Sequence, residues 1–143
     1  MARKDSYIVE PHSSKFERRV QLVRELLDFM RPESGFFETD FSWDVDESFG
    51  IDVATAVRRL CGVSRPYTSS GWREFQGERN QEWKDFLELA PFAFDASLFD
   101  KEVQPLVSLA DSSTSIVVWL DDRQLQWLSQ LNKSVAVFRR SKR

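Results

Sequence analysis

Phe36-Phe37-Glu38-Thr39-Asp40-Phe41-Ser42-Trp43-Asp44-Val45-Asp46 sets the character of this chain. Successive side chains of a strand point to opposite faces. Phe37, Thr39, Phe41, Trp43 and Val45 therefore share one side, and Glu38, Asp40, Ser42, Asp44 and Asp46 share the other. A helical period would scatter the rings around the whole cylinder. The segment reads as a half-buried strand with an acidic outer face.

The segment before it, Lys15 to Met30, has Phe16, Val20, Val23, Leu27 and Met30 at helical spacing, with Leu22, Leu26 and Phe29 widening the stripe. Ser13 or Ser14 can cap this helix, Ser14 with Glu17 as a capping box. Arg31-Pro32 ends it, because a residue before proline is pushed out of the α region. A short strand is expected over Ser6 to Val9. After the acidic segment, Asp52 to Cys61 reads as a short helix closed by Gly62. Ser64 to Gly77 reads as a long loop, with a possible short strand at Trp72 to Phe75.

Asn80 to Leu89 is amphipathic, with Trp83, Phe86, Leu87 and Ala90 inward and Pro91 stopping it. Ser97 to Ala110 reads as helical through Leu98, Val103, Leu106, Val107 and Ala110, with a kink at Pro105 or a split there into two short pieces. Ser115 to Leu120 is a continuous apolar, β-branched run and hence a central strand. Asp121 then caps a helix, with Gln124 completing a capping box and Leu125, Leu128 and Leu131 inward. Asn132 ends it and Ser134 to Phe138 forms the last strand. Strand, short helix and strand make a βαβ-sized closing unit, and so short a connection allows a parallel pair that flanks another strand. The class is α+β: a small mixed or antiparallel sheet of three to five strands, with helices packed mainly on one face. Residues 1–143 are expected to form a single domain with a flexible basic tail over 139–143.

The chain of 143 residues is long enough for a core without staples. With 12 Phe and 5 Trp, rings either build that core or are left over for an interface. The lone Cys61 cannot form an intrachain disulfide, and Met1 to Glu10 holds no apolar run of the signal-peptide kind. No stretch approaches a membrane span. A cytoplasmic location is expected.

Charge is segregated. Glu33 to Val57 holds seven acids (Glu33, Glu38, Asp40, Asp44, Asp46, Glu47, Asp52) and no Lys or Arg, whereas Arg123 to Arg143 holds six bases and no acid. Such separation sets up a steering field, unless the two segments neutralise each other as neighbours.

Catalytic groups are sparse. His12, the only histidine, lies outside any strong element, so Ser/His/Asp and Cys/His arrangements all depend on it. Cys61 reads as a small buried hydrophobe. Zinc sites want three or four His or Cys ligands. Same-face strand acids sit ~6.8 Å apart, too far to share one hard cation without a turn. With 5 glycines and no GxGxxG or GxxxxGK[ST], there is no phosphate cradle. No cofactor is expected. The basic run Arg139-Arg140-Ser141-Lys142-Arg143 could hold phosphate, but a sequence pI near 5.3 opposes nucleic-acid binding as the main role.

The row of carboxylates is cheap to keep, at about half a kcal/mol per adjacent pair in water. It is ready to meet a cationic protein, and its spacing approximates backbone phosphates. Glu38, Asp40, Asp44, Asp46, Glu47 and Trp72 are the candidate partner-binding residues.

Two segments carry a resemblance. Asp52-Val-Ala-Thr-Ala-Val-Arg-Arg-Leu-Cys-Gly-Val, running to Pro66 and Gly71-Trp72, is similar to a stretch of small bacterial immunity-like domains of polymorphic toxin systems. Ser115 to Phe138 resembles their closing strand, Leu-x-x-Leu helix and last strand. The resemblance covers about a third of the chain and implies a non-enzymatic inhibitor of a cognate toxin. A phage anti-defence protein blocking a nucleic-acid-binding host protein would share this chemistry. The other readings are a small enzyme using carboxylates and His12, and a nucleic-acid-associated subunit using the basic tail.

Overall fold

The computed structural model describes residues 4–12, 15–42, 68–76, 81–111, 113–130 and 135–140. They form seven strands, β1 (Asp5–Pro11), β2 (Ser34–Ser42), β3 (Thr68–Gln76), β4 (Asp95–Asp100), β5 (Pro105–Ala110), β6 (Ser115–Leu120) and β7 (Val135–Arg139). Three α-helices accompany them: α1 (Phe16–Met30), α2 (Gln81–Leu89) and α3 (Asp122–Gln130). A 3-10 turn at Ala90–Phe92 follows α2. The strands make one sheet in the order β3-β2-β4-β5-β6-β1-β7, with every neighbouring pair antiparallel.

The sheet has seven strands rather than three to five. The two additional ones, β4 and β5, replace the helix expected over Ser97 to Ala110. Ala96 and Leu98 are buried while Ser97 and Phe99 are part-exposed, which is strand alternation. Asp100 then builds a turn: its Oδ1 accepts the N–H groups of Glu102 and Gln104, each at 2.9 Å. Val103 N donates to Asp100 O at 3.0 Å with φ at 62°, the left-handed position of a three-residue hairpin loop. Beyond the turn, Pro105 takes the first strand position, where no ladder donor is lost. A register shift between Leu98 and Phe99 buries both Leu106 and Val107, so two adjacent apolar residues imitate helical spacing.

The closing unit agrees with the sequence. β6 and β7 both pair antiparallel with β1, so they run parallel and flank it. The capping box forms reciprocally: Gln124 N donates to Asp121 Oδ1 at 2.8 Å, and Asp121 N donates to Gln124 Oε1 at 3.0 Å. The ladder outlasts the expected start of the tail, since Arg139 belongs to β7 and Arg140 N donates to Ser6 O at 2.9 Å. Residues 141–143 lie outside the described residues, as does the helix expected over 52–61.

Helix α1 starts one residue later than expected, with Lys15 as N-cap and no side-chain cap bond. It buries Val20, Leu22, Val23, Leu26, Leu27 and Met30, whereas Phe16, read as part of the stripe, is 46% exposed. Arg24 fastens α1 to the end of α2 by donating to Leu87 O at 3.2 Å and Glu88 O at 2.9 Å, two carbonyls with no helical partner of their own. Phe29 stacks on Trp127 at 3.7 Å and 4°, which ties α3 to the same side. The three helices therefore share one face of the sheet.

Beneath them lies a ring cluster. Phe37 stacks on Phe86 at 4.6 Å and on Phe75 at 5.4 Å, and Trp83 packs against Phe75 and Phe86. Each such pair adds about 0.5–1.5 kcal/mol beyond area burial. Four of the many rings are thus core, set by the same alternation that sends Glu38 the other way.

Candidate functional site

On β2 the alternation holds over the residues whose burial is described. Phe37 and Thr39 are fully buried against the helix side, Glu38 is exposed and Asp40 is part-exposed on the other. The neighbouring strands extend the acidic surface. Asp40 is directly opposite Asp95 on β4, and Phe36 is opposite the exposed Glu74 on β3. Glu38, Asp40, Glu74 and Asp95 thus gather at one end of the face away from the helices.

That face can be read strand by strand from the register. Its positions are Ser34, Phe36, Glu38, Asp40 and Ser42 on β2, Asp95, Ser97 and Phe99 on β4, and Pro105, Ser108 and Ala110 on β5. Ser115, Val117 and Trp119 follow on β6, Ser6, Ile8 and Glu10 on β1, and Ala136 and Phe138 on β7. On β3 it comprises positions 68, 70, 72, 74 and 76. None of these strand positions is Lys or Arg. None whose burial is described is buried.

Among the described residues, the acids of β2 and the bases of β7 are not neighbours. β2 and β7 are five strand spacings apart, about 24 Å. That is well beyond the ~8 Å Debye length at physiological salt. Arg139 pairs instead with Asp5 at 2.9 Å. Neutralisation of one segment by the other therefore fails for Glu38 and Asp40 against Arg139 and Arg140.

Of the residues singled out from sequence, the structure brings Glu38 and Asp40 together on β2, with Trp72 in register with Glu38 on β3. Asp44, Asp46 and Glu47 lie outside the described residues. Asp95, Glu74 and Glu10 were missed. Asp95 was hidden by the helical reading of the segment behind it. Glu74 lay in a strand read too short, and Glu10 just past the expected end of the first strand. Alternation counted through each longer strand would have found all three.

His12 is exposed in a bend just beyond β1. Among the described residues, no group of three or more His, Cys, Asp or Glu is placed to hold a metal ion. Among them, too, no helix is long and apolar enough to cross a membrane. Comparison with protein-family models, curated proteins and solved structures finds no match for the chain.

Proposed function

We propose that this chain is a protein-binding inhibitor of the immunity or antitoxin type, which neutralises a cationic protein partner through the acidic end of its open sheet face. The observation that carries the reading is the gathering of Glu38, Asp40, Glu74 and Asp95 on a face with no Lys or Arg at its strand positions. Like charges directly opposite on adjacent strands are destabilising. Asp40 faces Asp95 directly across the ladder. A cationic surface landing on this end would meet these acids together, and the acidic field would speed its approach.

A nuclease toxin or another nucleic-acid-binding protein has a surface of this kind. The similarity of Asp52 to Val63 and Ser115 to Phe138 to immunity-like domains supports the toxin version. The role needs no cofactor and no catalytic group, and it fits a cytoplasmic protein.

The test is affinity capture from native extract with immobilised wild-type protein and with the double variant Glu38→Lys, Asp95→Lys. Far-UV circular dichroism checks that both are folded. The expected result is a partner eluted by salt from the wild type and lost by the double variant. Equal retention of that partner by both proteins contradicts the proposal.

A further inference from the structure

The open face is graded in two directions, which narrows the partner beyond its charge. Rows of side chains crossing the strands follow from the register. One row runs Asp40, Asp95, Ala110, Ser115, and the β1/β6 register, continued one step past Ile8 and Val117, leads on to Glu10 and its partner Ala136. The next runs Glu38, Ser97, Ser108, Val117, Ile8, Phe138. A third carries Phe36, Phe99 and Pro105 at one end and Trp119 and Ser6 at the other. The first row is an acidic rim, the second a floor that turns apolar toward β7, and the third a ridge that is mostly apolar from β2 to β7, with Glu74 beyond Phe36 on β3.

Two features set this apart from an ordinary solvated sheet face. Ser and Ala fill the middle of the floor and rim, although neither favours strands. They keep the surface low where longer polar side chains would rise. The apolar end is also left in water: Phe138 is 52% exposed, and Ile8, Val117 and Trp119 are part-exposed. Ile8 lies directly between Val117 and Phe138, so these residues are contiguous.

Resting on the reading that the acidic end receives a cationic protein, we infer that the occupant is a cationic amphipathic helix of the partner, laid across the strands. Adjacent rows are about 6.7 Å apart, so rim and ridge are about 13 Å apart, which accommodates a helix ~10–12 Å wide. From β2 to β7 the floor is about 24 Å long, or roughly 16 helical residues. Basic side chains of such a helix meet Asp40, Asp95 and Glu10. Its apolar stripe covers Val117, Ile8, Phe138 and Trp119. The graded face also orients it, because from β2 to β7 the apolar floor positions Val117, Ile8 and Phe138 lie toward β7.

The probe is a labelled leucine–lysine peptide of about 18 residues, roughly 27 Å long as a helix, with leucine on one helical stripe. Its controls are a scramble of the same composition and an oligolysine of equal charge. Binding is read by fluorescence anisotropy at low salt, and its site by amide chemical shifts of the protein. The expected result is binding of the amphipathic peptide at least about tenfold tighter than either control, as loss of a buried anchor set would give. Shifts centre on Ile8, Val117 and Phe138. Trp119→Ser with Phe138→Ser, and separately Glu38→Lys with Asp95→Lys, should each weaken it about tenfold while the fold is retained.

Oligolysine binding as tightly as the amphipathic peptide overturns the helix inference and leaves the acidic-surface proposal standing. Amphipathic binding insensitive to Glu38→Lys with Asp95→Lys overturns the acidic proposal instead. Binding that maps to the helix-bearing face overturns the inference. So does light scattering that shows a wild-type dimer dissolved by Trp119→Ser with Phe138→Ser, which would make a second copy the occupant.

Discussion

Gly35 offers the sharpest test of the strand register on which the acidic face depends. It lies opposite Asp100 on β4 and Phe75 on β3. A Cβ added there would press into the Phe99 carbonyl oxygen, far inside van der Waals contact, and would come within 3.0 Å of Pro32 Cγ. The first obstacle is backbone, so no rotamer change relieves it. β2 and β4 must move apart. Overpacking of this kind costs about 1–3 kcal/mol, and each ladder hydrogen bond stretched beyond use adds about 0.5–1.5 kcal/mol. Gly35→Ala is therefore expected to destabilise the protein by about 2–4 kcal/mol, against the modest gain from a stiffer unfolded chain. Melting should drop by roughly 5–15 °C for a chain of this size. Urea unfolding followed by far-UV circular dichroism measures the change, with Ser34→Ala as a neighbouring control. A loss below about 0.5 kcal/mol, the level of an ordinary surface substitution, would refute the reasoning. β2 would then not lie in this register, and a slip of one residue exchanges the two faces of a strand.

Other perturbations probe separate parts of the fold. Arg24→Met leaves the Leu87 and Glu88 carbonyls without their donor and should cost about 1–2 kcal/mol by the same urea measurement. Asp121→Ala removes one half of the capping box and should cost about 1 kcal/mol, with Asp121→Ser recovering most of it. Phe37→Ala empties the centre of the ring cluster and should cost about 3–5 kcal/mol. Arg139→Gln breaks the ion pair with Asp5, but the arginine side chain is 59% exposed, so the loss should stay below about 1 kcal/mol and shrink further in high salt.

Much of this architecture was legible where a single period dominates. The helix over Phe16–Met30, the apolar run Ser115–Leu120 and the Asp121/Gln124 box were read from local pattern, because local interactions dictate them. The short connection between β6 and β7 allowed a parallel pair flanking another strand, and β1 between them makes that the arrangement found. The hairpin from Asp95 to Ala110 was not legible. Its turn is built by one aspartate side chain and a valine with positive φ rather than by Asn-Gly or a glycine. Its bulge places Leu106 and Val107 side by side, which matches helical spacing as well as a strand would. The acidic face was half legible. Glu38 and Asp40 follow from alternation alone, whereas Glu74 and Asp95 join them only through non-local strand pairing. The apolar end of the same face assembles from Ile8, Val117 and Phe138, separated by up to 130 residues along the chain and adjacent only in the sheet.

Thiol accessibility along β2 tests the central claim most directly. In a Cys61→Ser background, Glu38→Cys and Thr39→Cys place one thiol on each face of the strand. Reaction with a disulfide reagent under native conditions should be near the free-thiol rate at position 38. At position 39 it should be slower by on the order of a hundredfold or more, since reaction there requires opening of the structure. Equal rates, or a protected thiol at 38 with a reactive one at 39, would contradict an open acidic face opposite the helices.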